Sequence, residues 1–112
     1  MTGNEYQTLA LRTINPSLPQ LEQLTAGLMG LCGEAGECID VLKKYRYQGH
    51  SELDTAHLAS ELGDCAWYLA VSAAVIGYDL EDIFKMNIEK LKKRYPEGFD
   101  EKRSMHRAEG DI

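Results

Sequence analysis

Two short acidic motifs, Glu34-Ala-Gly-Glu37 and Glu61-Leu-Gly-Asp64, hold the residues of this chain best suited to chemistry. Carboxylates brought close together repel one another, so they either take up protons or hold a cation. A ligand set of hard oxygens, without His or Cys, favours Mg2+ over zinc, with Mn2+ as a substitute. A single acidic pair at i, i+3 is most often just a solvated helix face. Two such pairs in register are harder to explain that way. Asp64 adds weight, because it is the only formal charge between residues 62 and 78.

The elements that must position these acids follow from periodicity. Leu21, Leu24, Leu28, Leu31, Ala35, Cys38, Leu42 and Tyr45 recur at steps of three and four, which is the seam of an amphipathic helix. Leu58, Leu62, Cys65, Leu69, Ser72 and Ile76 predict a second helix of the same kind. At about 100° per residue, Glu34 falls just beside the first seam, with Glu37 about 60° further round. Glu61 and Asp64 take the same offsets on the second helix. A short turn makes the two helices antiparallel neighbours, so equal offsets bring both acidic flanks to one side. The midpoints of Glu37/Glu61 and of Glu34/Asp64 both fall at residue 49, the centre of the Arg46–Ser51 turn. The register therefore predicts Glu37 facing Glu61 and Glu34 facing Asp64.

Local signals place the remaining boundaries. Thr2-x-x-Glu5 suits a capping box for a first helix from about Asn4 to Ile14, with Tyr6, Leu9, Ala10 and Thr13 inward and Asn15-Pro16 as its stop. Ser17-x-x-Gln20, with Pro19 in the first turn, starts the long second helix. Gly49 ends it, and Ser51-x-x-Asp54 caps a third helix from about Glu52 to Ile76, closed by Gly77. Asp79 caps a fourth that runs to Arg94 before Pro96. Gly27, Gly30, Gly33 and Gly36 recur at every third residue inside the long helix, each costing up to ~1 kcal/mol against Ala. They imply close approach of a substrate or of another helix; a break in the helix is a lesser alternative.

Other candidates surround the acids. Asn87, Lys90 and Arg94 share one side of the fourth helix and form a phosphate-clamp pattern, with Lys as a point charge and Arg as a fork. A solvated basic helix end explains the same row more blandly. Lys92 and Lys93 point elsewhere. Trp67 and Tyr68 flank Asp64 and are candidates for stacking on a base, although such residues are most often core. His57 shares a face with Glu61, Asp64 and Tyr68; it fits a surface His near a helix start better than a group supporting the acids.

A chain of 112 residues with 44% hydrophobic residues and only three prolines suits one mostly helical domain. The net charge of −6 argues against binding a nucleic-acid polymer. Cys32, Cys38 and Cys65 lack CxxC spacing, and Cys38 and Cys65 sit on the seams, as buried thiols in a reducing compartment do. No signal peptide is visible, and the apolar run from Cys65 to Gly77 is too short to span a membrane. A soluble, cytoplasmic protein with no membrane partner is expected. Residues 1–96 form the helical domain, and residues 97–112 a polar C-terminal arm or tail.

Glu34-x-x-Glu37, a spacer of 23 residues, Glu61-x-x-Asp64 with Cys-Ala-Trp-Tyr-Leu after it, and Asn87-x-x-Lys90-Leu-x-x-Arg94-Tyr-Pro together resemble the MazG-type nucleoside triphosphate pyrophosphohydrolases. The resemblance runs from about Leu24 to Phe99 and is to the single-domain members. It implies an all-α, four-to-five-helix bundle built on a long antiparallel hairpin and completed by pairing of subunits. It also implies Mg2+-dependent hydrolysis of a nucleoside triphosphate to the monophosphate and pyrophosphate. By motif match, Glu34, Glu37, Glu61 and Asp64 are then metal ligands, and Asn87, Lys90 and Arg94 lie near the phosphates. Either Glu34 or Glu37 activates the water. Because a two-helix seam leaves an apolar face uncovered, a homodimer or homotetramer is expected. Two alternatives stay open: a non-catalytic, metal-holding helical interaction module, and a pyrophosphohydrolase acting on a phosphoribosyl-nucleotide.

Overall fold

A computed structural model describes all residues 1–112, and it is all-helical. The helices are α1 (Gly3–Leu11), α2 (Gln20–Tyr47), α3 (Thr55–Val75), α4 (Leu80–Arg94) and a short α5 (Glu101–Met105). Helices α2 and α3 form the long antiparallel hairpin. Helix α1 packs across α3, and α4 packs on α1 and α3.

Most boundaries sit where local chemistry puts them. Thr2 caps α1 by accepting a hydrogen bond from the Glu5 amide at 3.1 Å. Gly49 and Gly77, at φ of 75° and 87°, adopt the left-handed conformation that lets the chain leave α2 and α3. Other caps differ from expectation. Helix α1 ends at Leu11, short of Ile14, and the Thr13 hydroxyl turns back onto the Ala10 carbonyl at 2.8 Å. Pro19 occupies the N-cap of α2, while Ser17 Oγ is spent on Asn15 Oδ1 at 2.6 Å. Asp54, not Ser51, caps α3, accepting from the His57 amide at 3.0 Å. Asp79 holds the N-cap position of α4 without a side-chain bond. The first amides of α4 are satisfied from α1 instead: Leu80 N–H donates to Gln7 Oε1 at 2.9 Å and Glu81 N–H to Asn4 Oδ1 at 3.0 Å. Gln7 also donates from Nε2 to the carbonyls of Ala70 and Tyr78, at 3.0 and 3.1 Å. This one buried amide ties α1, α3 and α4 together.

The hairpin seam is made of small residues. Helix α2 is continuous over 28 residues, with no break at its glycines. A Cβ on Gly27 would strike Ser72 Oγ, and one on Gly30 would overlap the Tyr68 ring. These two glycines therefore serve tight helix packing. Gly33 and Gly36 face open space. Of the expected seams, Leu24, Leu31, Leu42 and Leu58 are half-buried, but Leu21, Leu28, Leu62, Leu69 and Ile76 are exposed, as are Phe84 and Ile88 of α4. No large side chain is fully buried. The Cα radius of gyration is 17.2 Å, against about 13 Å for a compact chain of this length. The single chain thus leaves a broad apolar face uncovered.

Gly30→Val is expected to lower stability by about 1–3 kcal/mol, because its side chain must displace the Tyr68 ring. Gly33→Ala is expected to raise stability by up to ~1 kcal/mol by improving helix propensity in open space. Urea denaturation of the two variants beside the wild type checks both signs.

Candidate active site

The close approach of α2 and α3 carries the acidic motifs into contact. Carboxylate oxygens of Glu34, Glu61 and Asp64 lie within 4.8 Å of one another, which suits a shared cation. Glu34 lies at the centre, within hydrogen-bonding reach of Glu61. Glu34 meets Asp64 as the register predicts, but the close partner of Glu61 is also Glu34, not Glu37. Glu37 is exposed, one turn along, outside the close set, though its charge still acts on Glu34. Glu34 and Glu61 sit on the hairpin seam, one turn from the close contact of Gly30 with Tyr68.

The electrostatics record the crowding. The hydrogen bond with Glu61, then loss of solvent, then the charges of Glu61, Asp64 and Glu37 push the Glu34 carboxyl up to about 6. The same bond, helped by His57, holds Glu61 below its ordinary value. Without a cation, Glu34 therefore keeps a proton shared with Glu61 only below about pH 6. His57 Nε2 lies 3.0 Å from Glu61 Oε1, an attachment to the acidic cluster that the sequence reading set aside for a plain surface histidine. Cys38 and Cys65 meet just beyond the acids, where burial and mutual contact push the Cys38 thiol up. Cys32 is exposed.

One turn beyond Asp64, the Tyr68 ring lies over Gly30. Trp67 packs edge-on against Tyr68 with ring centroids 4.9 Å apart, and its indole N–H donates to Thr13 Oγ1 at 2.8 Å. Both rings line a cavity of about 200 Å3 shared with Asn15, Leu18, Gln23 and Gly27. The rise of a helix puts Tyr68 about 6 Å from Asp64 along α3.

The basic row of α4 is not gathered at the acids in one chain. Asn87 is exposed in a groove with Leu69, Ile83 and Ile88. Lys90 and Lys93 line a single cavity of about 430 Å3 closed by Ala108–Ile112, so Lys93 does not point elsewhere as expected. Arg94 is already engaged: its Nε and Nη2 donate to the two Asp111 oxygens, each at 2.8 Å. This pair holds the returning tail against α4, with side chains only 12% and 13% exposed.

The comparisons with known proteins now bear on this arrangement. Residues 22–99, which contain both acidic motifs and the α4 row, match the family model described as "MazG nucleotide pyrophosphohydrolase domain". The chain belongs to the MazG nucleotide pyrophosphohydrolase family. The MazG domain is also similar to the Gene 37 protein of Mycobacterium phage L5, 33% identical over 81 residues covering 70% of this chain and 71% of that protein. No solved structure matches. Nucleotide pyrophosphohydrolysis is thus the activity at the level of the family, and no helix is long and apolar enough to cross a membrane.

The raised Glu34 value carries a signed prediction. A carboxyl whose folded value, about 6, exceeds the ordinary 4.5 contributes stability that is present below the ordinary value and lost as pH rises through the folded one. Glu61 acts oppositely, but on the acid side: its contribution is present above 4.5 and lost as pH falls further. Between pH 4.5 and about 6, Glu34 therefore governs. In EDTA the melting temperature should fall over that window, and a divalent cation should restore it above the window but barely act below it. Thermal melts with EDTA or Mg2+, with Glu34→Gln as the variant that lacks the effect, check this; an equal Mg2+ shift at both ends of the window would contradict it.

Proposed function

We propose that this MazG domain hydrolyses a nucleoside triphosphate to the monophosphate and pyrophosphate, with a divalent cation, Mg2+ or Mn2+, held by Glu34, Glu61 and Asp64. The supporting observation is the convergence of three carboxylates, from both motifs, on one point of the hairpin. Glu34 raised by its neighbours is what such a point does when only protons can neutralise it. The oxygen-only donor set fits a hard cation. When bound, that ion neutralises the triphosphate and acidifies a water molecule. Glu37, exposed and outside the close set, is the carboxylate left to take that water's proton. Alternatively it completes the ligand set. The water oxygen attacks the α-phosphorus, the bond to the bridging oxygen breaks, and pyrophosphate leaves with its electron pair.

The cavity beside Trp67 and Tyr68 is the place for the base in this reading, at a distance along α3 that a nucleotide spans. Asn87, Lys90 and Arg94 are proposed for the phosphates. Lys90 is exposed and free to serve, whereas Arg94 must first exchange Asp111 for phosphate. The uncovered apolar face supports a homodimer or homotetramer, which would also bring a second copy's α4 row within reach. Residues 1–96 then act as the catalytic domain and residues 97–112 as an arm. Three free thiols agree with a cytoplasmic setting.

Pyrophosphate release from a panel of nucleoside triphosphates, with Mg2+, Mn2+ and EDTA, tests the reaction. Glu61→Gln and Asp64→Asn should each cut turnover by at least about 100-fold, with helicity kept, and the active preparation should scatter light as a dimer or larger. Single-phosphate release, or release from no triphosphate, would sink the reading. Cleavage of a phosphoribosyl-nucleotide instead would move the site to that substrate, and cation binding without any turnover would favour an interaction module.

Asp111→Asn isolates the role of Arg94. If Arg94 serves the phosphates, the variant should show a lower KM for the nucleotide, because the guanidinium is no longer held by a full negative charge. An unchanged KM would leave Arg94 as an anchor for the tail.

A further inference from the structure

We propose that His57 is a positioning residue for the cation site, acting through Glu61; this rests on the reading that Glu34, Glu61 and Asp64 hold a divalent ion. The geometry is specific. Asp54 caps α3 by accepting from the His57 amide at 3.0 Å, which sets His57 in the first turn. From there its ring reaches one turn forward, and Nε2 lies 3.0 Å from Glu61 Oε1. The Glu61 side chain is only 15% exposed, while His57 is 49% exposed. The ring therefore closes the solvent side of a carboxylate whose inner side meets Glu34.

The chemical consequence does not require a charged imidazole. A neutral ring with its proton on Nε2 donates to Oε1 and leaves the second oxygen of Glu61 for the ion. A carboxylate free of such a bond can rotate, and once Glu34 is ionised Glu61 stands beside two like charges, those of Glu34 and Asp64. Holding one oxygen removes that freedom before the ion arrives. Groups that orient ligands in this way change metal affinity by about 10–100-fold when removed. A plain surface pair at i, i+4 would do no more than adjust helix stability slightly.

Calorimetric titration of Mn2+ into the nucleotide-free protein separates these roles. His57→Ala should weaken the Mn2+ dissociation constant by about 10–100-fold, while helicity and the melting temperature in EDTA stay close to wild type. His57→Gln, whose amide can donate to the same oxygen, should recover part of the affinity. If the wild type binds Mn2+ and His57→Ala binds it equally well, the positioning role is overturned alone. If the wild type takes up no Mn2+, the cation site itself fails and this role with it.

Discussion

The repulsion among Glu34, Glu61 and Asp64 is the constraint around which this fold is arranged. Three carboxylates within 4.8 Å do not gather unless something else holds the helices that bear them. Here that something is the close packing of Gly30 against Tyr68 and of Gly27 against Ser72, one and two turns away on the same seam. Small residues allow the two backbones to approach, and close backbones leave the acidic side chains nowhere to separate. The crowding surfaces chemically as a Glu34 carboxyl pushed up to about 6. Packing at one end of the hairpin thus stabilises an arrangement at the middle that is unfavourable while its charges stand unneutralised. Stability lent by packing and spent at a site is the usual relation between scaffold and chemistry.

Helix α1 has a different task. Gln7 satisfies two carbonyls and one amide from three separate segments, and Trp67 reaches back to Thr13 in the turn that follows the same helix. Together these bonds fix the face of α3 that carries Trp67 and Tyr68. Tyr68 is pinned from the other side by Gly30. The aromatic pair is therefore rigid before any ligand arrives, and its cavity is a feature of the free chain. Preorganisation of this kind lowers the ordering cost of binding.

What could be seen in the sequence was what local chemistry and simple periodicity determine. The four main helices, the Thr2 cap and the turns at Gly49 and Gly77 depend on residues within a few positions of each other. The convergence of the acidic motifs followed from a hairpin with equal arms. The inward stripe was legible only in part: Cys38, Cys65 and Ser72 of the expected seams do face inward, but many of the leucines beside them do not. Leu21, Leu28, Leu62 and Leu69 share the helical period with the residues that do pack, and period alone cannot distinguish burial within the chain from a face left for another molecule. The leucine stripe puts the acids on the flank, where Glu37 could meet Glu61; in the structure Glu34 and Glu61 are half-buried between the helices and Glu37 is exposed. Gln7 escaped notice because glutamine is usually exposed, and its partners lie 63 to 73 residues away. The Arg94–Asp111 bond depends on the return path of the tail, which no motif encodes.

The tail gives Arg94 a partner with the chemistry of a substrate. A carboxylate bound through both oxygens presents the guanidinium with the same two-acceptor geometry as a phosphate. The fork is thus already shaped for a planar pair of anionic oxygens, and the adjoining cavity carries both signs of charge, Lys90 and Lys93 beside Glu89 and Glu109. Reach is the open question for a single chain, because α4 packs on α1 and α3 while the acids lie between α2 and α3. The same exposed stripe that leaves the monomer incomplete, from Leu62 and Leu69 to Phe84 and Ile88, runs between these two places. Covering that stripe with a second copy would bury the apolar surface and set a second α4 against the hairpin, so completing the core and completing the site would be a single event.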